Sequence, residues 1–316
     1  MAARWLKKLA EYVCILVAVS ALIFFMIHLF SPTDPISVIV GGKGSTPEII
    51  ENARKKFYLD QPVWKQYLIW VQGILHGDWG VSYKYQTPVL ESILSRAPVT
   101  LGLVIGASVL SVGAAIPLGV LSAVKKDRPA DRIISILSLI LAAIPPFLLS
   151  LLMVFALSKA APQYPIAGGY EGVGGYLWRM LAPCIALACA KITITLKVTR
   201  QGMIEEMKKP YMMNVEAKGM PESNRIWKHG LKNAVIPVIS ILSVQIGAMI
   251  VGAVLVESVF SLSGIGSFLI DSIKASDYPV VQAIILMLVI VFLLASAAAD
   301  GLYSLIDPRI RARKGK

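Results

Sequence analysis

Six long apolar segments constrain this chain more than any other feature of its sequence. A helix that crosses a bilayer needs about 20 mostly apolar residues. Most of the segments meet that length without a single charge, and the fourth is interrupted by Lys191. The sequence therefore predicts an all-α, polytopic membrane protein with six transmembrane helices. The predicted spans lie near residues 11–30, 98–124, 133–158, 177–199, 234–257 and 279–304.

The composition excludes a soluble globular protein. The 316 residues are 56% hydrophobic and only 16% charged, whereas soluble domains carry about 25% charged residues. The net charge of +12 would suggest nucleic acid in a soluble chain. In a membrane protein it is explained by cationic loops on the cytoplasmic side, so we expect a lipid bilayer and no nucleic acid as partner.

The distribution of lysines and arginines predicts the orientation. Placing the N-terminus inside puts 19 of the 31 cations on the cytoplasmic side. Both termini are then cytoplasmic, and the first span is an uncleaved anchor. The predicted location is a bacterial or archaeal cell (inner) membrane, crossed several times.

The predicted organisation has three parts. Residues 1–30 form an N-terminal tail and the first span, and residues 31–97 form a large extracytoplasmic loop. Helical periodicity over 47–59 and 62–75, each with a proline near its start, predicts short helices inside that loop. Residues 98–316 form a core of five further helices.

No catalytic or metal-binding motif is evident in the sequence. His28, His76 and His229 fall in three different topological zones, and the three cysteines lie in apolar runs. We therefore expect no enzyme, no metal and no cofactor bound by this chain. One possible function is that of an ion-coupled secondary transporter. Such proteins typically place carboxylates in the bilayer midplane, and the predicted spans have none there.

The loop 201–232, predicted to be cytoplasmic, carries the clearest local signals. Pro210 suits the first position of a helix and Gly219 suits the residue just past its end, which predicts a short helix between them. A second short helix is predicted from Pro221 to His229.

Two interpretations of this loop stay open. It is either a solvated basic loop or a docking element for a soluble partner. Tyr211, Met212, Val215 and Met220 would be apolar anchors in a partner's groove. Glu216 and Lys218 would add ion pairs to that partner, each contributing about 0–1 kcal/mol.

Three residues inside the predicted spans are candidates for a functional role. Lys191 is a charge inside the fourth span, and we expect it to face the bundle interior or to snorkel towards the cytoplasm. Gly247 and Gly252 suit either a pathway wall or close helix packing.

The chain resembles permease subunits of binding-protein-dependent ABC importers, most closely the dipeptide, oligopeptide and nickel group. The resemblance covers nearly the whole chain through short motifs in the expected order. These are Leu59–Pro62, Gly77–Gly80, Arg96–Leu101, Ile116–Val120, Gly219 with His229–Ala234 and Pro237, Val256–Ser261, Gly264–Gly266, Asp277–Gln282 and Asp307–Arg311.

The resemblance implies a MetI-like permease fold that supplies half of a translocation pathway. It implies as partners a second homologous permease, two ATP-binding subunits that use ATP and Mg, and an extracytoplasmic solute-binding protein. Transport of di- or oligopeptides is expected, with nickel or a metal chelate as the alternative. The ATPase-coupling residues would be Tyr211, Met212, Val215, Glu216, Ala217, Lys218, Gly219, His229 and Asn233.

The chain also departs from the family pattern. The importer signature usually begins with Glu-Ala-Ala, and Met213-Asn214-Val215 stands there instead. This puts in doubt which side chains grip the ATPase, whereas Ala217-Lys218-Gly219 retains the residues that end the helix.

Overall fold

Two compact units make up the chain in the computed structural model, which describes residues 2–30, 34–40, 46–169 and 171–306. Unit 1 comprises Met1–Thr100 and Ser263–Leu293, and unit 2 comprises Leu101–Leu262 and Leu294–Lys316. The three-part division at residues 30 and 97 stays a prediction. The closing motif 307–311 lies outside the described residues.

Unit 1 contains short helices that prolines help to start. Pro35 and Pro47 occupy first-turn positions, where Asp34 and Thr46 cap the free backbone N–H groups. The predicted loop helices are confirmed with slightly shorter bounds. The helices are α1 (Ala2–Phe30), α2 (Pro35–Ile39), α3 (Pro47–Lys56), α4 (Val63–Leu75), α5 (Val89–Leu94), α14 (Ile265–Lys274) and the first part of α15 (Tyr278–Ile306).

A buried carboxylate holds the loop after α4 in unit 1. Asp277 is fully buried and accepts hydrogen bonds from Ser82 Oγ at 2.5 Å, Tyr83 N at 2.9 Å and Lys84 N at 3.4 Å. Burial, followed by the nearby Asp277 carboxylate, raises the pKa of Tyr83, so its phenol stays protonated.

Unit 2 contains the longest helix of the described chain. That helix, α9 (Gly172–Met207), packs against α7 (Pro129–Ala143), α8 (Pro146–Ala160) and α13 (Ile236–Val259). The helices are the main part of α6 (Ala97–Val124), α7 (Pro129–Ala143), α8 (Pro146–Ala160), α9 (Gly172–Met207), α10 (Pro210–Ala217), α11 (Glu222–Asn224), a π-helical turn (Arg225–Gly230), α12 (Leu231–Ala234) and α13 (Ile236–Val259).

The third predicted span is not one straight helix. Helices α7 and α8 meet at an angle of 96°. The cause is local: a residue that precedes proline is pushed out of the α region, and Ile144, before Pro145, has an extended ψ of 118°. The prediction of a continuous helix over 133–158 is wrong at this point.

The described helices include five that are long and apolar enough to cross a membrane. Counting the bent α7–α8 pair as one span gives six, the number predicted from the sequence. The five are Lys7–Phe30, Val89–Val124, Gly172–Met207, Ile236–Val259 and Tyr278–Ala298.

A glycine on α6 and an ion pair from α7 bring these two helices close to α9. A Cβ atom at Gly119 of α6 would lie 2.7 Å from Thr199 Cβ, so only glycine fits there without movement. Arg200 donates two hydrogen bonds to the buried Asp131, at 2.8 and 2.7 Å. This bidentate pair fixes the start of α7 to α9.

Candidate functional site

The helix predicted between Pro210 and Gly219 is present and has the predicted ends. Pro210 is its first residue, and α10 runs to Ala217 with Lys218 as the C-cap. Gly219 follows with φ at +73°, the left-handed conformation that glycine adopts without steric penalty. The predicted helix end at Gly219 is confirmed.

The second helix is longer than predicted. The sequence predicted an end at His229, but the helical path runs from Glu222 through the π-helical turn to Ala234. Lys228 and His229 therefore lie within the path rather than in its last turn. The first turn of α12 continues directly from Gly230, whose backbone is in the right-handed helical region.

A buried glutamate joins three pieces of this segment. Glu206, near the end of α9, is only 4% exposed. Its carboxylate pairs with Lys209, accepts a hydrogen bond from Tyr211 Oη at 2.5 Å and accepts another from Asn233 Nδ2 at 3.1 Å. Asn233 Nδ2 also lies 3.0 Å from Tyr211 Oη. We call these four residues the Glu206 hub.

The protonation of Tyr211 suits its role as a donor in the Glu206 hub. Burial raises the pKa of Tyr211, and the hydrogen bond to the Glu206 carboxylate raises it further. The phenol therefore keeps its proton through neutral pH and loses it only above its ordinary value of about 10. The hydrogen bond is present below that pH and is lost at strongly alkaline pH.

An apolar cluster lies beneath the same segment. Ile226 of the π-helical turn and Ala234 of α12 pack with Met203 of α9 and Val120 of α6. A Cβ atom at Gly202 would lie 2.9 Å from the Ala234 carbonyl oxygen, so α9 and α12 are in close contact. The segment is therefore packed directly against two long helices, α6 and α9.

Met212 does not project from the segment as the sequence analysis expected. It is 2% exposed and buried in its own chain, so the prediction that it anchors a partner is wrong. Tyr211 and Val215 are half-buried. The helix α10 packs against the π-helical turn.

Two other apolar side chains are exposed on this segment. Met213 on α10 is 69% exposed and Trp227 on the π-helical turn is 49% exposed. We call these two residues the exposed apolar pair. They lie on two elements that pack against each other, and exposed apolar patches are typical of protein contact surfaces.

The remaining predicted coupling residues differ in their surroundings. Glu216 pairs with Arg225 at 2.5 Å inside the chain, and its expected ion pair with a partner stays a prediction. Ala217 and Lys218 are exposed. His229 is half-buried, and its Nε2 has no hydrogen-bond partner among the described residues.

The pathway candidates lie on two neighbouring helices. Lys191 is half-buried near the middle of α9, and Gly247 is buried on α13. A Cβ atom at Gly252 of α13 would lie 3.2 Å from Leu187 Cδ1 of α9. Gly252 thus contributes to close packing between α9 and α13, the alternative that the sequence analysis kept beside a pathway wall.

The sequence analysis missed Glu206 and both members of the exposed apolar pair. Glu206 lies 27 positions before Asn233, and no helical or strand period joins residues so far apart. One signal was available: Glu206 lies four residues before Pro210, the first residue of a helix with Tyr211 in its first turn. The sequence alone does not show that Met213 is exposed and Met212 buried, because that depends on which face of α10 is covered.

Comparison with known proteins identifies the family. Residues 115–312 match the family described as binding-protein-dependent transport system inner membrane component. Residues 1–104 match the corresponding N-terminal domain family. The chain belongs to this family of multi-pass inner membrane transport permeases, which sets aside the secondary-transporter alternative.

Individual relatives agree over nearly the full length. The dipeptide transport system permease protein DppB of Escherichia coli K12 is 30% identical, with 98% of each chain covered. The glutathione transport system permease protein GsiC of the same strain is 33% identical, covering 97% of this chain and 98% of the relative. A crystal structure of an amino acid ABC transporter with histidines shares the fold, with a TM-score of 0.51 and 17% identity over 70% of this chain and 94% of that one.

Proposed function

We propose that this chain is the transmembrane permease subunit of an ATP-driven importer for di- or oligopeptides. It would form half of the translocation pathway together with a second homologous permease subunit. Two partner subunits would bind ATP and Mg and carry out hydrolysis, and an extracytoplasmic solute-binding protein would deliver the peptide. The permease itself would be non-catalytic, with both termini in the cytoplasm.

The exposed apolar pair carries the proposal for the ATPase contact. Met213 and Trp227 are exposed on a segment that is fixed to α9 and α6. The Glu206 hub and the apolar cluster around Met203 fix it there. A groove on an ATP-binding subunit would cover these side chains. Gly219 ends the helix, and Asn233 and Tyr211 position it from within the chain.

Coupling requires a difference in contact between two states. ATP binding can shift the permease between inward-open and outward-open states only if the segment is better seated on the ATPase in one of them. Because Ile226 packs with Met203 and Val120, movement of the seated segment would be transmitted to α9 and α6.

The relatives support peptides as the substrate class. The names of two curated relatives specify a dipeptide and glutathione, both of which contain peptide bonds. We give peptide import preference over the nickel or chelated-metal alternative for that reason. Among the described residues no cluster of side chains suits a metal ion.

Co-purification of the full importer tests the docking surface. We expect Trp227→Glu to release the ATP-binding subunits from the permease, because it places a charge in an apolar contact. The matched control is Trp64→Glu, since Trp64 is 60% exposed on α4 in the predicted extracytoplasmic loop. It should retain the ATPase subunits at matched membrane levels.

Two results would contradict the proposal. The docking surface is wrong if Trp227→Glu retains the ATPase subunits, or if Trp64→Glu releases them equally. The orientation is wrong if a membrane-impermeant reagent labels a cysteine at position 213 from outside intact cells.

A further inference from the structure

Unit 1 contains a cavity that the proposed function does not use. Its volume is about 230 Å³, and it lies among α1, α3, α4, the loop that follows α4, and the start of α15. Pockets for drug-sized ligands have volumes of about 300–1,000 Å³. This cavity is therefore matched to a molecule about the size of one amino acid.

Aromatic rings form much of the cavity wall. Phe24 and Trp70 have ring centroids 5.6 Å apart, and Phe57 and Tyr83 meet edge to face at 5.1 Å. Rings fixed against one another present rigid apolar surface at little entropic cost on binding. The wall therefore suits the apolar body of a ligand.

Two hydrogen-bond donors on this wall lack acceptors. Gln282 lines the cavity and is 3% exposed, and its Nε2 has no hydrogen-bond partner among the described residues. The same holds for Nε1 of Trp70. Buried donors are nearly always paired in native proteins. Two unpaired N–H groups on one small cavity indicate a ligand with acceptor oxygens.

The charged groups on the cavity wall favour a ligand with one charge of each sign. Lys56 lies with its ammonium 5.3 Å from the Phe57 ring centroid. The Asp78 carboxylate accepts a hydrogen bond from Gly80 N at 2.9 Å. A carboxylate is attracted by Lys56 and by the two free donors, while an ammonium group is attracted by Asp78 and by the aromatic faces.

The backbone at Tyr58 is strained at the cavity. Leu59 N bonds to Arg54 O and Tyr58 N bonds to Lys55 O, which places Tyr58 at the left-handed position of a Schellman motif. Its φ is 55°, a position at which glycine is the common residue. Strain of this kind is found at ligand sites, and Tyr58 is one of the residues that line the cavity.

We propose that this cavity binds a carboxylate-bearing zwitterion of amino-acid size with an apolar side chain. The carboxylate meets Gln282, Trp70 and Lys56, and the aromatic rings enclose the side chain. The site is separate from the exposed apolar pair, and its ligand binding does not depend on the ATPase subunits.

Calorimetric titration of the full chain in phosphatidylcholine nanodiscs tests the site. The probe is L-leucine, and the matched control is isoamylamine, which has the same body and no carboxylate. We expect leucine to bind at least about tenfold more tightly than isoamylamine, because hydrogen bonds to a charged group are the stronger ones.

Three variants separate ligand binding from folding. Gln282→Leu removes an unpaired donor, and it should weaken leucine binding about tenfold without lowering the thermal midpoint. Trp70→Phe removes the other donor and keeps a ring, so it should weaken binding in the same direction. Tyr58→Gly relieves the strained φ and should weaken binding while the midpoint stays equal or rises.

Several outcomes would overturn the proposal. These are no leucine binding to the wild-type chain, equal affinity for isoamylamine, or unchanged affinity in both Gln282→Leu and Trp70→Phe. Native mass spectrometry that finds leucine excluded by bound phosphatidylglycerol would also overturn it, since the acceptor would then be a lipid phosphate.

Discussion

Two buried carboxylates, Asp277 in unit 1 and Glu206 in unit 2, organise their surroundings in different ways. Asp277 accepts from a hydroxyl and from two backbone N–H groups. Glu206 accepts from three side chains, and one of them, Lys209, is 53% exposed. Backbone donors are fixed by the fold, whereas long side chains can change partners at small cost.

This difference matches what each region is expected to do. The contacts of Asp277 keep the loop at Ser82 and Tyr83 in one position. The Glu206 hub holds a segment that is proposed to move with a partner, so its bonds must be able to break and form again. A carboxylate bound by rotatable side chains satisfies its buried charge in more than one arrangement.

Removing the Asp277 carboxylate should give the largest effect. Asp277→Ala leaves Ser82 Oγ and Tyr83 N buried without acceptors, each at about 1–3 kcal/mol, so we expect unit 1 to lose about 3 kcal/mol or more. Thermal unfolding of the full chain in detergent measures the loss. Asp277→Asn keeps one acceptor and should lie between wild type and alanine; equal midpoints for all three chains would show that Asp277 does not hold the loop.

Breaking the Glu206 hub should affect coupling more than folding. Glu206→Ala leaves Tyr211 and Asn233 bonded to each other, so we expect a stability loss of about 1–3 kcal/mol. Peptide uptake should fall about tenfold while the assembled complex still hydrolyses ATP. Uptake and ATPase assays at matched membrane levels measure both.

The neighbouring glutamate provides a control for Glu206. Glu205 is exposed, and its carboxylate accepts a hydrogen bond from Gln201 Nε2, one turn earlier on the same helix, at 2.6 Å. Glu205→Ala removes the same charge, and uptake should remain close to wild type. If both variants reduce uptake equally, the effect comes from surface charge and the hub has no special role.

Changing Gly219 tests the helix end through its backbone alone. Gly219→Val places a β-branched residue at φ +73°, which costs about 1–2 kcal/mol. Apart from its chain neighbours, no atom lies within 4 Å of an added Cβ, so the backbone conformation is the main cost. We expect reduced uptake with normal membrane levels. Gly219→Asn, which tolerates this conformation, should retain more uptake, and full uptake by the valine variant would contradict the proposed role of this helix end.

Local signals predicted the backbone of this segment but not its packing. Pro210 and Gly219 act on neighbouring residues, so both ends of α10 could be predicted from sequence. Pro145 carried an equally local signal for the break between α7 and α8, which the long apolar run obscured. By contrast, the burial of Met212 depends on the π-helical turn that follows in the chain, and the Glu206 hub depends on Asn233, 27 residues away.

The smallest effect is expected at Glu216, and its size tests where this side chain is paired. Its ion pair with Arg225 is partly solvated, because the Glu216 side chain is 67% exposed. Such pairs contribute about 0–1 kcal/mol. Glu216→Gln should therefore leave uptake and ATPase retention within about twofold of wild type. The control is Glu222→Gln on α11, another exposed glutamate, and it should behave in the same way. Loss of the ATPase subunits from Glu216→Gln alone would mean that Glu216 leaves Arg225 in the assembled importer and pairs with the partner, as the sequence first predicted.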